Sequence, residues 1–181
     1  MTGGFVRILV IGAPASGKTY FAKNLARNIG ISSTSMDDLY WNEGWKRPNL
    51  EDFHKKLQNF LHQKKWILDG NFFHIAFQDR LDAADTVIWL HCPLYLRTYR
   101  YATRELMRSL KLNQQGLPEK ISKGGAFSFG FLWRKVINFD RNIANPMREK
   151  ISQRKKKVIE IHASDLDLLS DRIWENPLKS H

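Results

Sequence analysis

Eight consecutive residues limit what this chain can fold into. Gly12-Ala13-Pro14-Ala15-Ser16-Gly17-Lys18-Thr19 fills the pattern G-x-x-x-x-G-K-[ST] directly after the apolar run Val6-Arg7-Ile8-Leu9-Val10-Ile11. Such a loop works only if a buried strand delivers it and a helix leaves it, so that successive backbone N–H groups wrap phosphate oxygens at the helix N-terminus. Tyr20 to Ile29 has apolar residues at helical spacing and Gly30 is a stop signal, so the flanks suit the motif. The alternative is a glycine-rich turn that binds nothing.

Strand and helix patterns alternate through the rest of the chain. Apolar runs at Phe5–Ile11, Trp66–Leu68, Thr86–Leu90 and Val158–Ile161 read as strands, with a shorter candidate at Ile31–Met36. Helical patterns fall at 18–29, 51–63, about 72–83, 94–111, 132–155 and 165–175. Strands buried on both faces and separated by helices predict a doubly wound α/β fold with a parallel sheet and ligands at the C-terminal strand ends. At 181 residues the chain has the length of one domain. Gly116, Pro118, Gly124, Gly125 and Gly130 break the rhythm between 113 and 130, which reads as a mobile flap.

Charge and cysteine usage narrow the classes. The net charge is +11, and residues 97–157 hold 16 Lys and Arg against 4 Asp and Glu, a block that suggests an anionic partner without naming it. Within it, Arg154-Lys155-Lys156-Lys157 reads as a solvated helix end. One cysteine, Cys92, excludes an internal disulfide and is expected to be a buried or half-buried thiol at a strand end. No apolar run is long enough to cross a bilayer, and the first one ends in the loop holding Lys18 rather than in a cleavage site, so a cytoplasmic location without a membrane partner is expected.

The motif residues carry a chemistry of phosphoryl transfer. Lys18 is placed to reach the β- and γ-phosphates of a nucleotide, and the Thr19 hydroxyl to bind Mg²⁺. Trp66-Ile67-Leu68-Asp69-Gly70-Asn71 is an apolar strand ending in an acid, which makes Asp69 the candidate second metal residue. A plain turn is the competing description. Asp37 and Asp38 follow the short candidate strand and precede Leu39-Tyr40-Trp41 and Trp45. Either acid can accept a proton from an attacking hydroxyl or cap the following helix; Asp37 is the better candidate for the first role and Asp38 for the second. Arg97, Arg100, Arg104 and Arg108 share one helical face, where like charges repel unless an anion lies opposite, so they read as a phosphate-gripping lid or as a solvated stripe. Arg134, Arg141 and Arg148 are weaker candidates of the same kind. His54, His62, His74, His91 and His162 have no metal spacing and read as surface or packing residues.

In these motifs the chain resembles the adenylate-kinase-like P-loop kinases and, among them, the FlaR-like DNA topology modulation proteins. The resemblance rests on residues 12–19, on Met36-Asp37-Asp38-Leu39-Tyr40-Trp41, on 66–72 and on Arg80-Leu81-Asp82-Ala83-Ala84-Asp85-Thr86 through Leu90, then on Pro93, Arg100, Arg104 and Trp133 to Phe139. It implies a P-loop NTPase fold, three-layered α/β/α around a five-stranded parallel sheet, with an acceptor region at about 37–65 and a lid at about 111–131. It implies ATP held by Gly12, Pro14, Ala15, Ser16, Gly17, Lys18, Thr19, Tyr20, Arg100 and Arg104, with Mg²⁺ on Thr19 and Asp69. Lys18, Asp37, Arg100 and Arg104 would act on the transferring group; Asp37, Tyr40, Trp41 and Asn71 would face the acceptor.

The chain departs from adenylate kinases in one respect. Positions where those enzymes place arginines for the acceptor's phosphate hold Phe73 and Tyr40 or Trp41 here, with Lys46 and Arg47 as possible substitutes. An aromatic, acidic near wall favours a ring- or hydroxyl-bearing acceptor over a nucleoside monophosphate. The expected activity is therefore ATP-dependent phosphoryl transfer to a small molecule. Its rivals are a simple NTPase and a DNA-binding, topology-modulating regulator that grips nucleic acid through the basic block.

Overall fold

The structure is a computed structural model that describes residues 6–42, 46–110, 130 and 132–163. Five strands, β1 (Val6–Gly12), β2 (Ser33–Ser35), β3 (Lys65–Asp69), β4 (Thr86–His91) and β5 (Lys157–His162), form one parallel sheet in the order β2-β3-β1-β4-β5. The helices are α1 (Lys18–Ile29), α2 (Met36–Tyr40), α3 (Leu50–Leu61), α4 (Phe77–Ala83), α5 (Leu94–Ser109) and α6 (Asn145–Gln153). The expected fold class is the observed one. Among the described residues no helix is long and apolar enough to cross a membrane.

Alternation along the central strands builds two separate cores. Leu9, Ile11, Trp66, Leu68, Val87 and Trp89 point to one face and meet α3, α4, α6 and Phe139 to Ala144. Ile8, Val10, Ile67, Ile88 and Leu90 point to the other and meet Phe21, Ala22, Leu25 and Ala26 of α1. The Ala84-Asp85-Thr86 block has a mechanical reason: the Asp85 carboxylate accepts from Arg7 Nη2 at 2.7 Å, Nε at 3.2 Å and the Arg7 backbone N–H at 3.0 Å, pinning the start of β4 to the start of β1. The pairing holds the Asp85 carboxyl below its ordinary value.

Helix α1 has the bounds its periodicity predicts and ends where the Gly30 N–H returns to the Ala26 carbonyl. Two other helices differ from expectation. The segment expected to be helical from about 72 begins at Phe77, because residues 70–76 form a tight loop with Phe72 and Ala76 at positive φ (34° and 47°). The expected helix over 132–155 is π-helical at Leu132–Ile137 and Asp140–Ala144 before α6 continues it. There the Asn138 N–H bonds the Trp133 carbonyl and the Asn145 N–H the Asp140 carbonyl, each five residues back. Pro146 at the start of α6 donates no N–H and crowds the preceding turn, which favours the wider register.

Of the basic run 154–157, Arg154 and Lys156 are tethered to α4, while Lys155 and Lys157 are exposed, as a solvated helix end would have them. Arg154 Nε donates to Asp82 at 2.5 Å, and Lys156 Nζ donates to the Asp82 and Ala84 carbonyls at 2.9 and 3.0 Å, so α6 is tied to the end of α4. Cys92 is buried, as expected. The expected lid at about 111–131 lies outside the described residues apart from 130, as do the expected helix at 165–175, Trp45 and the Arg108 side chain.

Gly12 ends β1 at φ 150°, and a Cβ there would press on the Leu90 backbone carbonyl, which cannot turn aside. Gly12→Ala is expected to cost about 2–4 kcal/mol, combining overpacking with a strained backbone. Urea denaturation checks this, and a loss below about 0.5 kcal/mol would contradict the close approach.

Candidate functional site

At the C-terminal ends of β1, β2 and β3 lies a cavity of about 750 Å³. Pro14, Ala15, Gly17, Lys18, Thr19 and Tyr20 line it from the phosphate loop, Asp37 from α2, Asp69 to Ile75 from the end of β3, Arg100 and Arg104 from α5, and Lys135 and Ile143 from the π-helical turns. The sequence-derived candidates are thus largely brought together. Gly12 and Ser16 are exceptions. Both N–H groups are engaged within the protein, that of Gly12 by the Asn71 side chain and that of Ser16 by the Ala13 carbonyl, so they shape the loop from behind. Arg100 braces the same loop through Nη1 to the Ser16 carbonyl at 3.3 Å.

The two aspartates of α2 separate by geometry. Ser35 caps the helix by accepting from the Asp37 N–H, and Asp38 completes the capping box by accepting from the Ser35 N–H. The Asp37 carboxylate is left facing the cavity, where it accepts a hydrogen bond from the Trp41 side chain. Tyr40 and Trp41, expected at the acceptor, do not line the cavity among the described residues. Tyr40 packs edge-on to Trp41 and Phe53 and against Phe72, which makes it a support for the wall. Lys46 and Arg47 are exposed and also absent from the lining.

Asn71, the last expected acceptor residue, lines the cavity with an amide already in use. Its Oδ1 accepts from the Gly12 N–H at 3.1 Å and its Nδ2 donates to the Gly12 carbonyl at 2.6 Å. Beneath it sits Arg80, fully buried, whose guanidinium donates to five backbone carbonyls: Gly70 at 2.8 Å, Asn71 at 2.7 Å, Phe72 at 2.9 Å, Ile75 at 3.3 Å and Ala76 at 3.1 Å. Five fixed donors suit a loop whose carbonyls converge. Burial pushes the Arg80 pKa down to about 9. Nothing in the spacing of Arg80 announces this role, which depends on how the loop folds back on α4.

Of the expected arginine stripe on α5, Arg97 does not belong to the site. It is buried, paired with Asp140 at 2.6 Å and bonded to the Ile137 carbonyl, and so ties α5 to the π-helical turns. Arg134 returns to the Gly130 carbonyl, and Arg148 lies over the Trp89 ring at 4.9 Å. Lys135 and His74 line the cavity although neither was a candidate.

Three ionisable groups at the centre are shifted by burial. The Lys18 pKa is lowered to about 8, chiefly by burial, which nearby Asp69 and Asp37 offset in part and Arg104 reinforces. Its Nζ donates to the Ala13 carbonyl at 2.8 Å, bridging the loop. Burial raises both Asp69 and Asp37; Asp69 accepts a hydrogen bond from Thr19, and the Lys18 charge opposes the shift in each. A hydroxyl and a carboxylate in mutual contact are hard oxygen donors of the kind Mg²⁺ takes alongside phosphate oxygens, so Thr19 and Asp69 fit the ion.

No family model matches the chain, and no curated protein matches its sequence. Among solved structures, the shikimate kinase of Bacteroides thetaiotaomicron is similar with a TM-score of 0.54 at 16% identity, covering 95% of this chain and 98% of that one. An uncharacterised protein of Eubacterium ventriosum gives a TM-score of 0.48 at 16% identity, covering 93% and 96%. The likeness to the shikimate kinase is one of fold: a five-stranded all-parallel α/β sheet with flanking helices, the P-loop NTPase fold.

Arg80→Lys keeps the charge and loses the fork. It is expected to destabilise the chain by about 2–4 kcal/mol, since several buried carbonyls lose their donors. Chemical denaturation measures this, and an unchanged midpoint would remove Arg80 from its role.

Proposed function

We propose that the chain is an ATP-dependent phosphotransferase of the adenylate-kinase-like P-loop group, acting on the hydroxyl of a small molecule. One arrangement carries the proposal: Lys18, Thr19, Asp37, Asp69, Arg100 and Arg104, from four separate parts of the chain, line a single cavity at the strand ends. Its motif-level likeness to FlaR-like proteins is consistent with this but names no acceptor.

In this reading the triphosphate lies along the phosphate loop, with the N–H groups at the start of α1 and the Lys18 ammonium on its oxygens. Asp37, raised above the ordinary carboxylate value by burial, accepts the proton of the acceptor hydroxyl. That oxygen bonds to the γ-phosphorus as the bond to the β–γ bridging oxygen breaks, and ADP departs with the charge. Arg100 and Arg104 meet the charge that develops, as fixed cations in a partly desolvated site do. Mg²⁺ held by Thr19 and Asp69 would supply neutralisation of the β- and γ-oxygens.

Asp37→Asn is expected to lower kcat by roughly 10²- to 10⁴-fold while ATP affinity changes little. Collapse of ATP affinity with normal transfer per bound ATP would assign Asp37 to nucleotide binding instead. In a simple NTPase the same variant loses hydrolysis and no acceptor raises the wild-type rate.

The free protein's kcat/KM should be bell-shaped in pH. Asp37 must be ionised, so activity rises with pH through a limb displaced above the ordinary carboxylate range. Lys18 must be charged, so activity falls as pH rises through about 8. Lys18→Arg should lower activity and move the alkaline limb upward; a limb that stays in place would belong to another group.

Arg100→Ala with Arg104→Ala separates enzyme from nucleic-acid binder. A phosphotransferase loses ATP affinity and rate, by about 2–5 kcal/mol for two charge-assisted contacts. A DNA-binding regulator would lose duplex binding and hydrolyse ATP as before.

A further inference from the structure

The elements that line the cavity bring different charges to it. Strand order places β2 and β3 on one side of β1, and β4 and β5 on the other. Away from the phosphate loop with its Lys18, the β4 side supplies Arg100 and Arg104 from α5, and Lys135 joins them from the turn whose Leu132 and Val136 pack on Tyr101 of α5. The β2–β3 side supplies Asp37, Asp69 and the run Phe72-Phe73-His74-Ile75, and among the described residues no lysine or arginine.

Three described cations near that second side are turned elsewhere. Arg80 is buried under the loop with its donors on five carbonyls. Lys150 stands over the Phe73 ring at 4.7 Å, and Lys56 donates to the Asp38 carbonyl at 3.4 Å; neither lines the cavity. The wall is also built to hold its shape. Phe72 and Ala76 keep left-handed backbone angles that cost on the order of 1–3 kcal/mol each, and such angles persist where surroundings over-determine them, as Arg80 does here. Phe73 packs against Phe77 at 5.5 Å between ring centres, and Tyr40 supports Phe72 at 5.2 Å.

An anionic group seated against Phe72–Ile75 would lose water beside the Asp37 carboxylate on a wall that has no lysine or arginine among its described lining residues, which is costly. An apolar or aromatic body gains by covering Phe72, Phe73 and Ile75. Building on the phosphotransferase reading, we infer that the acceptor is an uncharged alcohol on an aromatic or apolar ring, seated on the Phe72–Ile75 wall with its hydroxyl toward Asp37. A phosphate- or carboxylate-bearing acceptor is disfavoured by the same wall.

The test uses matched pairs of acceptors with ATP and Mg²⁺, following ADP release and the phosphorylated product. The probes are nucleosides against their 5′-monophosphates, and benzylic and cyclohexyl alcohols against the corresponding hydroxy acids. Neutral members should exceed their charged partners in kcat/KM by about 10-fold or more. Phe73→Arg should reverse that preference while the KM for ATP stays within about 2-fold, and Ile75→Lys serves if the first variant does not fold, as judged by circular dichroism. Preference for the charged members in the wild type, or an unchanged ratio in a folded variant, overturns the inference. So does the absence of turnover with every neutral member when a non-hydrolysable ATP analogue binds. If that analogue does not bind, the phosphotransferase reading falls and the acceptor class with it.

Discussion

The site depends on a joint between two parallel strands. The β1–β3 ladder runs through Val10 opposite Asp69 and continues with the Gly70 N–H on the Val10 carbonyl at 3.1 Å. The strand then turns, and the Asn71 side-chain amide supplies one more rung by taking both the N–H and the carbonyl of Gly12. Chain from the β3 end is thereby fixed to the first residue of the phosphate loop. Asp69 stands two residues before that rung, and Thr19, in the first turn of α1 beyond the phosphate loop, donates to its carboxylate. Gly70 makes the turn possible: its φ is 129°, and a Cβ there would lie 2.7 Å from the Met36 Cβ, so β3 passes close under the start of α2. That close approach also carries Asp37, the next residue of α2, to the cavity.

The same joint concentrates electrostatic cost. Lys18, Asp37 and Asp69 are each displaced by burial toward their neutral forms, and the attraction between the lysine and the two acids recovers only part of it. A fold optimised for stability alone would not bury two acids so close together; a triphosphate and a divalent cation would add the opposite charges that each side lacks. The lowered Lys18 pKa has a definite sign in stability. Between about 8 and its ordinary value of 10.5 the unfolded chain binds a proton that the folded chain does not, so this group adds stability as pH rises through that window.

Legibility in the sequence followed the range of the interactions. The phosphate loop, α1, the central strands and the parallel sheet could be read because strand, loop and helix there are decided by neighbours in sequence. Asp37 and Asp38 could be singled out but not fully separated, since the capping role turns on one hydrogen bond that the Ser35 N–H donates to the Asp38 carboxylate. Arg97 and Arg100 look alike in a helical stripe; the distinction comes from Asp140, 43 residues away from Arg97. Arg80 had no local signal at all, because its partners are carbonyls whose convergence requires positive φ at Phe72 and Ala76, residues that ordinarily avoid it. The helix expected from 72 gave way to that loop, whose Phe72 packs against Tyr40, while Trp41 meets the Asp37 carboxylate.

The strong positive charge of residues 97–157 looks different once its members are placed. Arg97 is paired with Asp140, Arg148 stands over Trp89, Lys150 over Phe73, and Arg154 and Lys156 are bound to the end of α4. These five cations fasten helices to one another and to the sheet, so their charge is a consequence of packing basic side chains over aromatic rings and carbonyls. Arg100, Arg104 and Lys135 line the one cavity that also holds Lys18. A duplex needs cations spread along a surface to follow successive phosphates, whereas a nucleotide needs them gathered around one short polyanion. Arg100, Arg104, Lys135 and Lys18 are gathered in this second way, while Arg134, Arg141, Lys155 and Lys157 of the same block stay exposed outside the cavity.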